Sequence, residues 1–153
     1  AQYALRPVVG AQPSLSGLDS DSQVAFSATH TLPQGILSLG RVIRITAVLN
    51  GTNMGNDANL RFYMGTTALY ESPLVFPGPI VLQCTATVTG IGALGEMSVC
   101  GTCTNDTTSV ASVQADPVDV DTTVAQEISL AVQFTGADDD QVFNLRQFFV
   151  EVL

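Results

Sequence analysis

Three cysteines and a single histidine are the side chains of this 153-residue chain best suited to chemistry. Cys100-Gly-Thr-Cys103 has the Cys-x-x-Cys spacing that disulfide exchange uses. That chemistry needs a helix N-terminus in a βαβ setting to lower the thiol pKa. Here the pair follows Met97 and Val99 alternating with Glu96 and Ser98, and precedes the polar stretch Thr104 to Ser109, so it sits at the end of a strand. Adding Cys84 and His30 makes a formal zinc quartet, but only one pair has ligand spacing. Small, mostly buried thiols are the better reading. A Cys84–Cys100 bridge across neighbouring strands is conceivable, and the odd count leaves one thiol free. His30, between Thr29 and Thr31, has no Gly-x-Ser-x-Gly elbow to supply a nucleophile and reads as a hydrogen-bonded strand residue. Asp116-Pro-Val-Asp119-Val-Asp121 and Asp138-Asp-Asp140 gather carboxylates that could hold Ca²⁺ or act in glycoside hydrolysis. Their spacing is not that of an EF-hand and the chain has no Trp. They read as solvated turns, with loop Ca²⁺ as the alternative. No convergent catalytic set emerges, so no enzyme, no cofactor and no metal centre are expected.

The elements that would position these residues are strands. Ile43, Ile45, Ala47 and Leu49 share one face, with Val42, Arg44, Thr46 and Val48 on the other. This strand is entered through Thr31 to Gly40, a turn punctuated by Pro33, Gly35 and Gly40. Leu60, Phe62 and Met64 alternate with Arg61 and Tyr63. Ile80, Leu82, Cys84, Ala86 and Val88 alternate with Val81, Gln83, Thr85, Thr87 and Thr89. Ile128, Leu130, Val132 and Phe134 repeat the pattern, and Gln141 to Leu153 forms the last strand. Asn50-Gly51 reads as a strand end, and the glycosylation-type tripeptides at Asn50 and Asn105 read as turn chemistry. No segment has a helical period. About eight to ten short strands spaced by turn residues predict an all-β, antiparallel β-sandwich or barrel.

Charge narrows the partners. Fourteen acids face five Arg and no Lys, for a net charge of −9. Nucleic acid and anionic membrane surfaces are disfavoured, because both are bound by basic side chains. Charged residues are only 12% of the chain, so its surface is neutral and polar or is partly covered by another subunit. No apolar run is long enough to cross a membrane as a helix. The start has no secretion-signal pattern, and Ala1 suits loss of an initiator Met.

The two ends of the chain differ from its middle. Residues 1–22 carry Pro7, Gly10, Pro13 and Gly17 with scattered Tyr3, Leu5, Val8 and Val9, and no period persists. They predict an extended N-terminal arm ahead of a single domain, 23–153, with those four apolar residues available for docking on a neighbour. At the other end Phe148, Phe149 and Val150 make both faces of the last strand apolar. Such a strand needs cover on both sides: one face meets a core and the other a second subunit, or the strand is a central one buried, or covered at its end, within a single chain.

The order of these features resembles the jelly-roll virion proteins of tailed bacteriophages, of the capsid cement or decoration type and their head-fibre and tail relatives. The resemblance rests on Thr31-Leu-Pro-Gln-Gly-Ile-Leu-Ser-Leu-Gly40, Leu60-Arg-Phe-Tyr-Met-Gly-Thr-Thr67, Ala86-Thr-Val-Thr-Gly-Ile-Gly92, Val120-Asp-Thr-Thr-Val-Ala-Gln126 and Phe148-Phe-Val-Glu-Val-Leu153. It covers nearly all of the chain after Gln23 and brings no active site with it. It implies a jelly roll, usually a homotrimer, made in the host cytoplasm and placed on the capsid exterior, where it binds the shell of major capsid protein. Tyr3, Leu5, Val8 and Val9 are then the expected shell contacts, and Phe148, Phe149 and Val150 the expected trimer interface. The alternative is a receptor- or glycan-binding head-fibre or tail domain that uses the loops Thr52 to Asn59 and Thr104 to Ser109.

Overall fold

A computed structural model describes residues 3–4, 14–16, 23–52, 58–72, 78–105, 109–113, 116–134 and 142–153. Every regular element among them is a strand: β1 (Tyr3–Ala4), β2 (Ser14–Ser16), β3 (Gln23–Ala25), β4 (His30–Leu32), β5 (Val42–Thr52), β6 (Ala58–Met64), β7 (Thr67–Glu71), β8 (Gly78–Gly90), β9 (Gly95–Thr104), β10 (Ser109–Val113), β11 (Val118–Val120), β12 (Gln126–Phe134) and β13 (Val142–Val152).

The strands form two antiparallel sheets. The larger runs β13-β5-β8-β9-β10, with β1 and β2 both along the outer side of β13 and β11 extending the line of β10 on β9. The smaller runs β12-β6-β7, with β3 and β4 sharing the other side of β12. The chain starts in the large sheet, crosses to β3 and β4, returns for β5, and crosses again for β6 and β7. It comes back for β8 to β11, leaves for β12, and ends in the large sheet as β13. The late strands β12 and β13 thus slot between early ones, which is the jelly-roll arrangement.

The core is the sum of the inward faces. Ile43, Ile45, Ala47 and Leu49 of β5, Ile80 to Val88 on alternate positions of β8, and Met97 and Val99 of β9 lie against Leu60, Phe62, Met64, Ile128, Leu130 and Val132 of the small sheet, all essentially without solvent contact. Removing each Val, Leu, Ile, Phe or Met side chain among them from water is worth about 1.5–3 kcal/mol. Phe148 marks the centre. Its ring lies parallel to that of Phe62 at 6.2 Å between centroids and takes the His30 ring edge-on at 5.1 Å.

That position corrects one expectation. Phe148 and Val150 are fully buried inside their own chain, so neither can line a trimer interface. A β-bulge between Leu145 and Gln147 is the reason. The extra residue puts Phe143, Leu145, Phe148, Val150 and Val152 on the core side, and it breaks the apparent alternation of the sequence. Phe149 alone of the three faces outward, half-buried, with Thr46 of β5 as its register partner.

Other boundaries move too. Asn50 and Gly51 do not end β5, because Asn144 and Pro79 pair with Asn50 from both sides and carry the strand on to Thr52. The described part of the expected arm is edge strand: Tyr3 and Ala4 pair with Val152 and Glu151, and Ser14 to Ser16 with Asn144 to Val142. Leu5, Val8 and Val9 lie outside the described residues. The strands β10 and β11 were not legible as separate elements in the sequence.

Candidate functional site at one end of the sandwich

The turn before β5, the β8–β9 turn, the loop between β11 and β12 and the C-terminal residue all lie at one end of the sandwich. Backbone bonds knit them together. Gly40 N–H donates to Val88 carbonyl at 2.9 Å, Val88 N–H to Arg41 carbonyl at 2.9 Å, and Leu153 N–H to Val42 carbonyl at 2.9 Å. Thr122 is the main fastener. Its hydroxyl oxygen accepts from Gly92 N–H at 2.7 Å, and its own N–H donates to Gly92 carbonyl at 3.0 Å. Asp121 closes the next turn by accepting from Thr123 N–H at 2.9 Å and from the Thr123 hydroxyl at 2.5 Å. Those bonds hold the Asp121 carboxyl below its usual pKa. Gln126 Nε2 then donates to Asp121 carbonyl at 2.7 Å. Gly95 is required where the turn enters β9, because a Cβ there would lie 2.7 Å from Val120 carbonyl oxygen and 2.9 Å from that of Gly90.

On this well-tied frame sit side chains that a solvated loop has no need of. Leu94 is 92% exposed, Leu39 66% and Ile91 62%, with Val124 and Leu153 also exposed. Most of the exposed large apolar residues among those described are at this end. Glu96, Asp119, Asp121 and Glu127 lie close to them in the chain, with Arg41 as the nearby cation. Large apolar side chains gathered at one end in this way exceed what a surface facing only water calls for.

Residues 53–57 and 106–108 of the loops in the glycan-binding alternative, and Asp138 to Asp140, lie outside the described residues.

Two further surfaces lie on the outer faces of the sheets. On the outside of the small sheet, Arg61 donates to Gln133 at 2.9 Å and to Glu71 at 3.0 Å, and also bonds Gln23. Asn59 donates to Glu71 at 2.6 Å and Gln23 to Tyr63 at 2.8 Å. Its hydrogen bond to Arg61 lowers the Glu71 pKa. On the outside of the large sheet a shallow groove of about 280 Å³ is lined by Gln83, Thr85, Cys100, Thr102, Ala111 and Val113.

The residues first considered for chemistry are dispersed. His30 Nε2–H donates to Phe148 carbonyl at 2.9 Å, which makes it a strand residue tied to the core. Cys100 opposes Thr85, and Cys84 opposes Gly101. Successive strand residues face opposite ways, so Cys84 and Cys103 point into the core while exposed Cys100 points out. That geometry excludes a Cys84–Cys100 bridge, and it also separates the two sulfurs of Cys100-Gly-Thr-Cys103. Burial pushes the Cys84 thiol up to about 12 and raises Cys103 as well. Among the described residues no group of three or more His, Cys, Asp or Glu is placed to hold a metal ion. Strand patterning carries no sign of the fit of Tyr70 against Gly101. A Cβ at 101 would lie 2.5 Å from the ring, so only glycine admits it, and Ser112 hydroxyl donates to the phenol oxygen at 3.3 Å.

No family model and no curated protein matches the chain. Solved structures that it is similar to include an engineered GH43 glycoside hydrolase with endo-xylanase and exo-arabinofuranosidase activity, at 11% identity and a TM-score of 0.47, over 90% of this chain. The chain spans only 34% of that hydrolase. Lectin UEA-II complexed with galactose gives 6% identity and a TM-score of 0.47 over 92% of this chain and 86% of the lectin. A legume lectin-like domain from Entamoeba histolytica gives 6% identity and a TM-score of 0.38 over 97% of this chain and 88% of that domain. At such identities and scores these likenesses carry no ligand or activity across to this chain.

Proposed function

We propose that this is a structural protein of a virus particle, a decoration protein that binds the outside of an assembled capsid as a homotrimer and stabilises it by mass action. The observation that carries this reading is the rigid end of the sandwich with Leu39, Ile91 and Leu94 exposed on it. Exposed apolar side chains on a chain of net charge −9 suit a shell surface of opposite charge, and they suit neither nucleic acid nor an anionic bilayer. β1 runs beside the C-terminal end of β13, so Tyr3 enters the fold at this same end and the arm and the loops serve one contact. For the trimer, Phe149 on the outer face of the large sheet is the residue of the expected set that remains available.

The test is a double variant, Ile91→Asp with Leu94→Asp. Both side chains are exposed, so the thermal midpoint should stay within a few degrees of the parent. Occupancy on capsids lacking the protein, read by co-sedimentation and cryo-electron microscopy, should fall at least tenfold. Unchanged occupancy removes the loop end from the contact. Adsorption of the purified protein to host cells, with none to capsids, replaces the reading with the receptor-binding one.

A further inference from the structure

We propose that β10 is a self-pairing edge, at which two copies of the chain join antiparallel through Ser109–Val113 and merge their large sheets into one. This inference does not depend on the decoration role.

An edge strand displays a row of unpaired N–H and C=O groups, and natural proteins blunt such edges with charge, proline, a bulge or a cover. Of the other described edge strands, β1 to β4 are only two or three residues long, and β7 and β11 are blunted by charge. β7 ends in Glu71, paired with Arg61 at 3.0 Å and next to a register shift, and β11 carries Asp119 at its centre. β10 has none of these devices. Ser-Val-Ala-Ser-Val is uncharged, contains no proline and runs in unbroken register against β9, from Ser109 opposite Thr104 to Val113 opposite Cys100. Its other side pairs with no strand among the described residues. All five residues are exposed, Val113 to 75% and Val110 to 44%, so no other described part of the chain covers it.

The occupant is a second copy because the strand is complementary to itself when paired antiparallel, and because it is free of the charge that keeps copies apart elsewhere. A chain of net charge −9 repels its own kind over most of its surface. β10 and the groove beside it, lined by Gln83, Thr85, Cys100, Thr102, Ala111 and Val113, hold no charged side chain. Two copies can meet there without bringing carboxylates together. A register centred on Ala111 sets the smallest side chain of the strand opposite itself. Val113 then faces Ser109, and Val110 faces Ser112, so no valine is forced against valine. Burial of the exposed Val110 and Val113 supplies the apolar term.

Sedimentation equilibrium on the full chain should show a particle whose mass is halved by Ala111→Glu, which sets two carboxylates face to face at the centre of the joint. Circular dichroism and the thermal midpoint of the dissociated species should stay close to the parent, because Ala111 is exposed. A second variant reads the geometry. In a Cys100→Ser background, Ala111→Cys should oxidise to a disulfide-linked pair, because directly opposed strand residues lie within disulfide reach. Val113→Cys should do so far more slowly, because Ser109 is its partner. A mass that Ala111→Glu leaves unchanged overturns the proposal. So does cross-linking that is no faster at 111 than at 113, or an edge that takes an unrelated extended peptide while copies stay apart.

Discussion

The three cysteines divide by which way their strands turn them. Cys84 and Cys103 lie beneath the large sheet near Tyr70, and Cys100 lies on its outer face. A thiol reagent of the aromatic disulfide type should therefore titrate one group in the folded protein and three in denaturant. Two fast groups in the native state would show that the face assignment is wrong. The same burial makes the fold sensitive to alkali. The thiols of the unfolded chain ionise near pH 8.5, whereas folded Cys84 keeps its proton up to about 12. Its contribution to stability is complete below about pH 8.5 and drains away as pH rises from there towards 12, because only the unfolded state releases the proton. Cys103 and the Tyr70 phenol, both raised by burial, act in the same direction. Cys84→Val should flatten the fall in denaturation midpoint between pH 8 and 10, and an unchanged slope would show that Cys84 is not its source. The period-2 pattern placed Cys84 on the core face. It could not place Cys100 against Cys103 without the strand's full extent, because a motif of four residues reads alike in a turn and in a strand.

β13 shows at the scale of the element how one residue reassigns a surface. The bulge at Leu145/Gln147 turns Phe148 and Val150 inward and leaves Phe149 outside. Phe148→Ala should then cost about 3–5 kcal/mol of folding stability, as a large aromatic deletion in a packed core does. It should do so equally at all protein concentrations in urea denaturation. Phe149→Asp should instead leave the midpoint of a dilute sample nearly unmoved and act on assembly, seen as a lower mass by light scattering. A concentration-dependent loss in Phe148→Ala would put that ring back at an interface. The apolar composition of this strand was plain in its sequence. The bulge was not, because its signature is a phase shift relative to the partner strand β5, some 100 residues away.

For the molecule as a whole, charge and topology act together. Net charge of −9 spread over a small domain opposes association of copies with one another. Raising salt from about 10 mM to 150 mM shortens the screening length from roughly 30 Å to 8 Å and should strengthen self-association through the neutral β10 edge. Weaker association in the higher salt would mean that ion pairs, and not strand pairing, hold the copies together. The sequence by itself determined the all-β class, the inward faces of β5, β6, β8 and β12, the turn from Pro33 to Gly40, and the net negative charge. Those properties follow from period-2 patterning and from charge, both of which are local or additive along the chain. Only the tertiary structure decided which strands are neighbours, which side of β13 each Phe takes, that Gly101 lies under Tyr70, and that Leu39, Ile91, Leu94 and Val124 share one end of the sandwich. Each of these depends on strand pairing between distant segments. The jelly-roll crossings bring residues together whose positions in the chain say nothing of their nearness.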